Sequence, residues 1–390
     1  MEFLMYGAGS IGRGFIGPLF AKAGYEVVFV DIDRRVVDAL NAANCYRYTI
    51  AADPPYDEVV GNVRAIDGAD ERAVLGAIAS CDLMATALGA AVLQKVAPLI
   101  ARGFSQRMKT GGAPLNILIC ENLKDAPLLL REWLVKNLPE AEIPLLDKNC
   151  GLVETAIGRM IPPGARSGDD PLHLTVEEYG FLPADKDAFI GEPPKLQTLI
   201  PYSPFAFYEE RKLYMHNMGH AVCAYLGLRY GCETMGQAMS DLAIRLITQS
   251  AMTESAAMLS LKFGVPFAKI YEHAEDLMLR FGSAALGDTC ERVGRDPMRK
   301  LRAGDRLAGA LAQCREHGVH PVYIALGYAA ALYNVTADAA RAGELARTEG
   351  RLDSGAATLV MKLFNAMQLP AQELFATAEK LKKELRGSIV

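Results

Sequence analysis

The sequence predicts a two-domain protein in which a doubly wound α/β domain over residues 1–195 precedes a mostly α-helical domain over residues 196–390. Two observations predict this fold class. In the first half, short apolar runs alternate with segments of helical periodicity, as is typical of a parallel sheet covered by helices on both faces. After Tyr202 the chain has few β-branched runs and long segments of helical periodicity, such as 235–263 and 325–345.

The composition suits a large globular chain and argues against several functional classes. Of the 390 residues, 51% are hydrophobic, and the net charge is -5, so no basic excess is present to neutralise nucleic-acid phosphates. Neither a membrane-spanning apolar stretch nor a secretory signal pattern is found, and the eight cysteines lack a CxxC pair. We expect a cytoplasmic monomer or small homo-oligomer that binds a small molecule, rather than a nucleic acid or a membrane.

The first 31 residues follow the order strand, glycine turn, helix, strand and acid. The glycine turn has the spacing GxGxxG between predicted strands over 3–6 and 26–30, and Asp31 lies 19 positions after Gly12. In dinucleotide-binding units these glycines permit a tight turn, close approach to the pyrophosphate and close helix packing, and a carboxylate about 20 residues later binds the adenosine ribose. This order predicts a Rossmann-type domain. Its expected cofactor-binding residues here are Gly7, Ala8, Gly9, Ser10, Ile11, Gly12 and Asp31.

The residues after the second strand bear on the choice between NAD and NADP. Asp31 favours NAD, because a carboxylate repels a 2′-phosphate. Arg34 and Arg35 favour the alternative, since an arginine at this place can accept that phosphate. We expect NAD as the cofactor, with NADP as the alternative.

Two further strands are predicted over residues 81–87 and 114–120. Ligands of open α/β sheets bind at the carboxyl ends of the strands. Thr86 and Ala87 are therefore expected to border the cofactor, and Asn122 has functional potential at the end of the later strand. Asn122 is equally well placed to cap the helix that follows.

The sheet is expected to end in a stretch rich in turn formers. Pro162, Pro163 and the segment 167–171 mark this change in composition, and one more strand is predicted over 173–179. A proline-rich loop over 191–204 follows, and the domain boundary is placed near residue 195.

Polar side chains are concentrated on the first predicted helix of the second half. On a regular α-helix, at 100° per residue, one face would collect Glu209, Lys212, His216, Asn217 and His220. Hydride transfer from an alcohol needs a base for the hydroxyl proton and donors for the developing alkoxide. A lysine of lowered pKa can be that base, and the amide and imidazole can donate. A solvated helix face is the alternative interpretation.

Lys212, Asn217 and His220 have the spacing K-x4-N-x2-H, which resembles the motif of the polyol-specific long-chain dehydrogenases. The segments 7–17 and 291–307 are similar to the same family, and the resemblance runs from residue 1 to about residue 330. The resemblance implies an NAD-dependent dehydrogenase that needs no metal.

The resemblance also implies roles for the polar residues. Lys212 would be the general base, Asn217 and Asn122 would form an oxyanion hole, and His220 would orient the substrate. Glu209, three residues before the lysine, would relay its proton to solvent. The implied reaction is the interconversion of D-mannitol 1-phosphate and D-fructose 6-phosphate. The same chemistry on a free polyol or hexuronate, and a non-catalytic dinucleotide-binding protein, are the alternatives.

A phosphorylated substrate requires cations to hold it. Arg295, Arg299 and Lys300 are the expected substrate-binding residues, in a segment that also contains Arg292, Arg302 and Arg306. A salt-bridged surface is the alternative interpretation of this segment.

A zinc-dependent alcohol dehydrogenase is the alternative to a metal-free mechanism. His216 and His220 have the i, i+4 spacing of a metal site, and Cys223 follows one turn later. There is no HExxH pattern and no cysteine cluster, so we expect no metal.

The sequence departs from the family pattern at two positions. Gly158 stands where the family commonly has an aspartate, although Glu154 keeps a carboxylate nearby, and His216 stands where an aliphatic residue is expected. Both positions are candidates for the border of the substrate pocket.

Overall fold

The computed structural model describes residues 1–161 and 170–387. The turn-forming residues predicted at 162–163 and 167–169 lie outside the described residues. The chain divides into two compact units between Ala206 and Phe207. Across the described residues, we find no helix with the length and apolar character needed to cross a membrane.

The first unit contains a six-stranded parallel sheet of the predicted doubly wound type. Its order is β5-β2-β1-β6-β7-β8, so the strand that precedes the glycine turn lies in the middle of the sheet. Two smaller sheets, β4-β3-β9 and β10-β11, accompany it. The described strands are β1 Glu2–Tyr6, β2 Glu26–Asp31, β3 Cys45–Ile50, β4 Tyr56–Gly61, β5 Val63–Asp67, β6 Leu83–Thr86, β7 Leu115–Ile119, β8 Cys150–Glu154, β9 Leu174–Val176, β10 Leu182–Asp185 and β11 Leu199–Tyr202.

Helices cover both faces of the main sheet, as its uninterrupted apolar strands require. Alternate residues of β1 face different cores: Phe3 and Met5 lie in one, and Leu4 and Tyr6 lie in the other. Phe20 stacks on Phe3 with ring centroids 3.8 Å apart, which fixes the first helix on the sheet. The helices of this unit are α1 Gly17–Lys22, α2 Arg34–Ala43, α3 Glu71–Ser80, α4 Ala90–Lys109, α5 Ala126–Val135 and α6 Ile143–Asn149, with a 3-10 turn at Glu140–Glu142.

The small sheet β4-β3-β9 was not predicted. β3 and β4 form an antiparallel hairpin, and β9 pairs in parallel with β3 through Tyr48 and Leu174. This pairing joins segments more than a hundred residues apart, so no local pattern signals it. Only residues 174–176 of the strand predicted over 173–179 are extended in the sheet.

The division between the units falls later in the chain than the predicted boundary at 195. The cause is β11, which pairs in parallel with β10 from Leu182↔Leu199 to Asp185↔Tyr202. These hydrogen bonds keep residues 199–202 with the first unit.

The second unit is mostly helical over its described length, as predicted. Two of the long helices expected there are each broken in two. Asp241 interrupts the first and caps the next helix by accepting a hydrogen bond from the Ile244 amide, and Asp338 caps the helix after the second break through the Arg341 amide. The helices are α7 Ala206–Arg211, α8 Asn217–Arg229, α9 Met235–Ser240, α10 Leu242–Phe263, α11 Phe267–Phe281, α12 Cys290–Gly294, α13 Pro297–Leu301, α14 Ala308–Glu316, α15 Val322–Val335, α16 Ala339–Thr348, α17 Ser354–Asn365 and α18 Ala371–Gly387, with 3-10 turns at Ala284–Leu286 and Ala366–Gln368.

Candidate active site

The glycine turn is tightly packed at its first and third glycines. Gly7 has φ +107°, in the region that favours glycine, and its amide donates to the Val30 carbonyl at 2.8 Å. A Cβ on Gly12 would lie 2.0 Å from the Gly7 carbonyl oxygen. The helix after the turn therefore approaches the loop as closely as the fingerprint requires. Its first part, Gly12–Ile16, is a π-helical segment that the sequence pattern did not predict.

Asp31 holds the glycine loop directly. Its Oδ2 accepts a hydrogen bond from the Ala8 amide at 2.8 Å, and its Oδ1 accepts one from the Asp33 amide at 3.0 Å. Each carboxylate oxygen has a second lone pair, so Asp31 keeps acceptor capacity for a ribose hydroxyl.

The two arginines after β2 are paired with acids. Arg34 lies 2.9 Å from Asp67, and Arg35 lies 3.0 Å from Asp33. Both guanidinium groups thus have nearby carboxylates, which weakens the case for a 2′-phosphate partner.

The carboxyl end of β6 contains an unpaired polar atom, and an acid that follows β7 contacts the loop after β6. Thr86 is fully buried, and its Oγ1 has no hydrogen-bond partner among the described residues. Beside it, the Ala87 amide donates to the Tyr6 carbonyl at 2.9 Å. The buried Glu121 accepts from the amides of Leu88 and Gly89 at 2.9 and 2.7 Å, which fixes this loop. Glu121 directly follows the apolar strand predicted over 114–120, next to Asn122.

Asn122 does not cap the following helix. Its side chain is exposed, and α5 begins after Asp125, at Ala126. The capping alternative is therefore not realised, and the amide of Asn122 is accessible beyond the carboxyl end of β7.

The predicted catalytic helix contains a π-helical turn between α7 and α8. The turn covers Lys212–His216, and the Asn217 amide donates to the Lys212 carbonyl. Such i→i+5 turns occur often at functional sites. The wider turn rotates the residues relative to a regular α-helix, so the predicted single polar face does not include His216. His216 is buried, while Lys212, Asn217 and His220 remain partly accessible.

His220 lies between an aromatic ring and a carboxylate. It stacks on Phe281 with centroids 4.7 Å apart, and its Nε2 is 3.6 Å from Asp288 Oδ2. Burial lowers the pKa of His220 to about 4, and nearby arginines add to this effect against the opposing influence of Asp288. His220 is therefore a neutral imidazole near pH 7 and can donate only one hydrogen bond.

His216 is packed against the same aromatic ring, with its centroid 5.7 Å from that of Phe281. Burial, followed by the charge of Arg280, lowers the pKa of His216 well below its usual range. The imidazole thus occupies the expected aliphatic position as an uncharged, buried group.

The basic segment divides into groups with different surroundings. Lys300 is buried, and its Nζ donates to the Val293 carbonyl at 2.6 Å and to the Arg295 carbonyl. Arg299 is exposed and 3.0 Å from Asp296. The side chain of Arg295 is exposed and has no ion pair among the described residues.

Two other arginines of the basic segment influence the pKa of His220. Arg292 and Arg306 both lower its pKa, and Arg280 on α11 does the same. Arg292 forms two hydrogen bonds with Asp288, and Arg306 pairs with Asp305 at 2.9 Å. Arg292 and Arg306 belong to the basic segment but are not among the substrate-binding residues expected from the sequence.

Within residues 1–161 and 170–387, no group of three or more histidine, cysteine or acidic side chains is arranged to hold a metal ion. Cys223, the third member of the rival zinc site, is fully buried. Burial raises the pKa of its thiol well above the usual range, which disfavours the thiolate that would bind a metal. All eight cysteines are free thiols.

Gly158 is covered by an aromatic ring. A Cβ at this position would lie 2.9 Å from Cε1 of Tyr179. An aspartate here would require that ring to shift.

Comparisons with known proteins agree with this two-part architecture. The family model described as the mannitol dehydrogenase Rossmann domain matches residues 1–198, and that of the mannitol dehydrogenase C-terminal domain matches residues 205–372. A substrate-free D-sorbitol dehydrogenase has a similar fold, with TM-score 0.77 and 17% identity over 96% of this chain and 94% of that one. The mannitol 2-dehydrogenase of Pseudomonas fluorescens, solved with NAD and D-mannitol, gives TM-score 0.72 and 15% identity over 98% and 94%.

Proposed function

The chain belongs to the mannitol dehydrogenase family, and from that membership we propose that it is an NAD-dependent polyol dehydrogenase. Its proposed reaction is the interconversion of D-mannitol 1-phosphate and D-fructose 6-phosphate, with a lysine general base and no metal.

The observation that carries the proposal is the accessibility pattern of the motif helix. Lys212, Asn217 and His220 are partly accessible, whereas Met215, His216, Met218 and Gly219 between them are buried. Below them, α8 is buried from Ala221 to Gly227 and packs against α10, α12 and α15. The three motif residues are thus held on a rigid element and remain open to a ligand, as catalytic groups require.

NAD, when bound, supplies the acceptor for the hydride. The chain's own residues fit this cofactor: the glycine turn permits close approach, Asp31 retains acceptor capacity, and buried Thr86 Oγ1 lacks a partner among the described residues. The glycine turn follows β1, Thr86 ends β6 and Ala87 comes next, so all of them lie at the carboxyl edge of the sheet, where such ligands bind.

In the proposed mechanism, Lys212 Nζ accepts the proton of the substrate hydroxyl as the C–O bond gains carbonyl character. Asn217 and Asn122 donate hydrogen bonds to the developing alkoxide, and both side chains have amide groups accessible for this. Neutral His220 donates one further hydrogen bond that orients the substrate. Glu209 is exposed and transfers the proton of Lys212 to solvent.

Local charge supports a phosphorylated substrate. Between residues 288 and 306, six basic side chains accompany four acidic ones, in a chain whose net charge is -5. The arginines proposed to bind the phosphate are of two kinds. Arg292 and Arg306 lower the pKa of His220, and Arg295 and Arg299 are exposed. Lys300 supports this group indirectly, because its Nζ donates hydrogen bonds that fix the carbonyls of Val293 and Arg295.

A free polyol is the second candidate, because most of these guanidinium groups already have acidic partners. Arg292 pairs with Asp288, Arg299 with Asp296, and Arg306 with Asp305. Paired arginines attract an anion less strongly than unpaired ones, and an uncharged substrate needs no such attraction.

Initial rates of NADH formation with different substrates test the proposal. We expect mannitol 1-phosphate to give a kcat/KM at least about a hundredfold above mannitol, mannonate and altronate, since a charge-assisted phosphate contact contributes roughly 3 kcal/mol. Arg295→Ala should raise the KM for the phosphate ester, whereas Arg302→Ala, at an exposed arginine 3.8 Å from Glu349, serves as the control. Equal rates with mannitol would favour the free polyol, and NADH binding without any turnover would favour a non-catalytic protein.

The choice of cofactor has its own test. We expect the wild-type chain to prefer NAD to NADP, and Asp31→Ser to narrow this preference by about tenfold, because the repelling carboxylate is lost. Arg35→Ser is the control, since Arg35 is exposed and paired with Asp33. A wild-type preference for NADP in steady-state kinetics would contradict the assignment.

A further inference from the structure

Arg13 is an unusual residue to find buried beside a cofactor loop. Its exposed fraction is 0%, although it lies at the start of the helix that follows the glycine turn. A buried guanidinium is costly unless its donors are satisfied, so its hydrogen bonds indicate what it stabilises.

One of these bonds reaches into the glycine turn itself. Arg13 Nε donates to the carbonyl of Ala8 at 2.6 Å. The amide of the same Ala8 donates to Asp31 Oδ2 at 2.8 Å. Ala8 lies between Gly7 and Gly9, so charged side chains fix the loop on both sides of this residue.

The other bonds connect Arg13 to the small sheet. Arg13 Nη1 donates to the Leu172 carbonyl at 2.5 Å, just before β9. The hydroxyl of Tyr46 on β3 donates to the backbone carbonyl of Arg13 at 2.7 Å. Tyr46 is itself 3% exposed. Strand β3 and the segment just before β9 therefore fix Arg13, and Arg13 fixes the loop.

We infer that Arg13 is a positioning residue for the cofactor. Its hydrogen bonds to the small sheet and to Ala8 form a brace, which holds the Ala8 segment of the glycine turn in the conformation that binds the dinucleotide. This inference rests on the proposed NAD-dependent function. Because the guanidinium is inaccessible, it acts through the loop rather than by touching the ligand. The small sheet then has a functional role in this unit.

A loop that is already held in its binding conformation loses little conformational freedom when the dinucleotide binds. Removal of the brace should weaken binding of the cofactor without changing the chemical step. The expected signature is a raised KM for NAD with a nearly unchanged kcat at saturating NAD.

NADH titration followed by protein fluorescence, together with steady-state kinetics, tests this role in the full-length chain. We expect Arg13→Met to raise the dissociation constant for NADH by about tenfold or more, since it removes two charge-assisted hydrogen bonds. Arg13→Lys keeps the charge but lacks the guanidinium fork, so it should recover only part of the affinity. Tyr46→Phe, which removes one neutral hydrogen bond, should weaken binding by about fivefold.

Arg107→Met is the matched control. Arg107 is 4% exposed and donates to the carbonyls of Ala113 and Cys81 at 2.6 and 2.8 Å, away from the glycine turn. Its variant should lose stability in thermal unfolding but keep its NADH affinity.

Three results would overturn the role of Arg13: unchanged affinity in Arg13→Met, an equal loss in Arg107→Met, or full recovery in Arg13→Lys. If Arg13→Met does not fold, the Arg13→Lys and Tyr46→Phe titrations decide by the same criteria. A wild-type chain that does not bind NADH would instead overturn the proposed function.

Discussion

Replacement of Lys212 by alanine is expected to lower kcat by about two to four orders of magnitude, the range that general base catalysis supplies. The dissociation constant for NADH should stay within about twofold, because the residues proposed to hold the dinucleotide all belong to the first unit. Single-turnover kinetics and NADH fluorescence measure the two quantities separately.

Lys212→Arg sharpens this test, since arginine keeps the positive charge but cannot be deprotonated in a protein. We expect it to be nearly as inactive as the alanine variant. Lys262→Ala provides the matched lysine control, because Lys262 is a half-buried residue of the same unit that pairs with Glu210 at 2.8 Å. Retention of most activity by either Lys212 variant would refute the assignment of the base.

Gly12→Ala is expected to abolish measurable NADH binding and to lower the free energy of unfolding by about 1–3 kcal/mol. The added Cβ would lie 2.0 Å from the carbonyl oxygen of Gly7 and 3.1 Å from its carbon. Both are backbone atoms, so the clash can be relieved only by moving the helix away from the loop. Chemical denaturation and NADH titration give the two effects.

Gly76→Ala is the control for this substitution. Gly76 lies inside α3, and a Cβ there would meet nothing within 4 Å. The variant should bind NADH like the wild type and gain about 0.5–1 kcal/mol of stability from the better helix propensity of alanine. Normal NADH affinity in Gly12→Ala would show that the turn is not the pyrophosphate site.

The nucleotide-binding fold could be predicted because its signals are local. A strand, a GxGxxG turn, a helix and an acid follow one another within 31 residues, and β1 and β2 end within one residue of the predicted ends. The K-x4-N-x2-H spacing likewise made Lys212, Asn217 and His220 the candidate catalytic residues, through its resemblance to the family motif. Helix breaks at Asp241 and before Asp338 were missed, since apolar periodicity continues across them.

The sequence by itself determined the fold class, the glycine turn and the position of the proposed catalytic motif, because each depends on neighbours within one element. The tertiary structure decided the state of these groups. His216 is buried because Phe281 comes from α11, His220 is neutral because burial outweighs Asp288, and Arg13 is a brace because β3 and β9 pack beside it. Desolvation and long-range hydrogen bonds depend on which distant segments pack together, and no spacing rule along one chain contains that information.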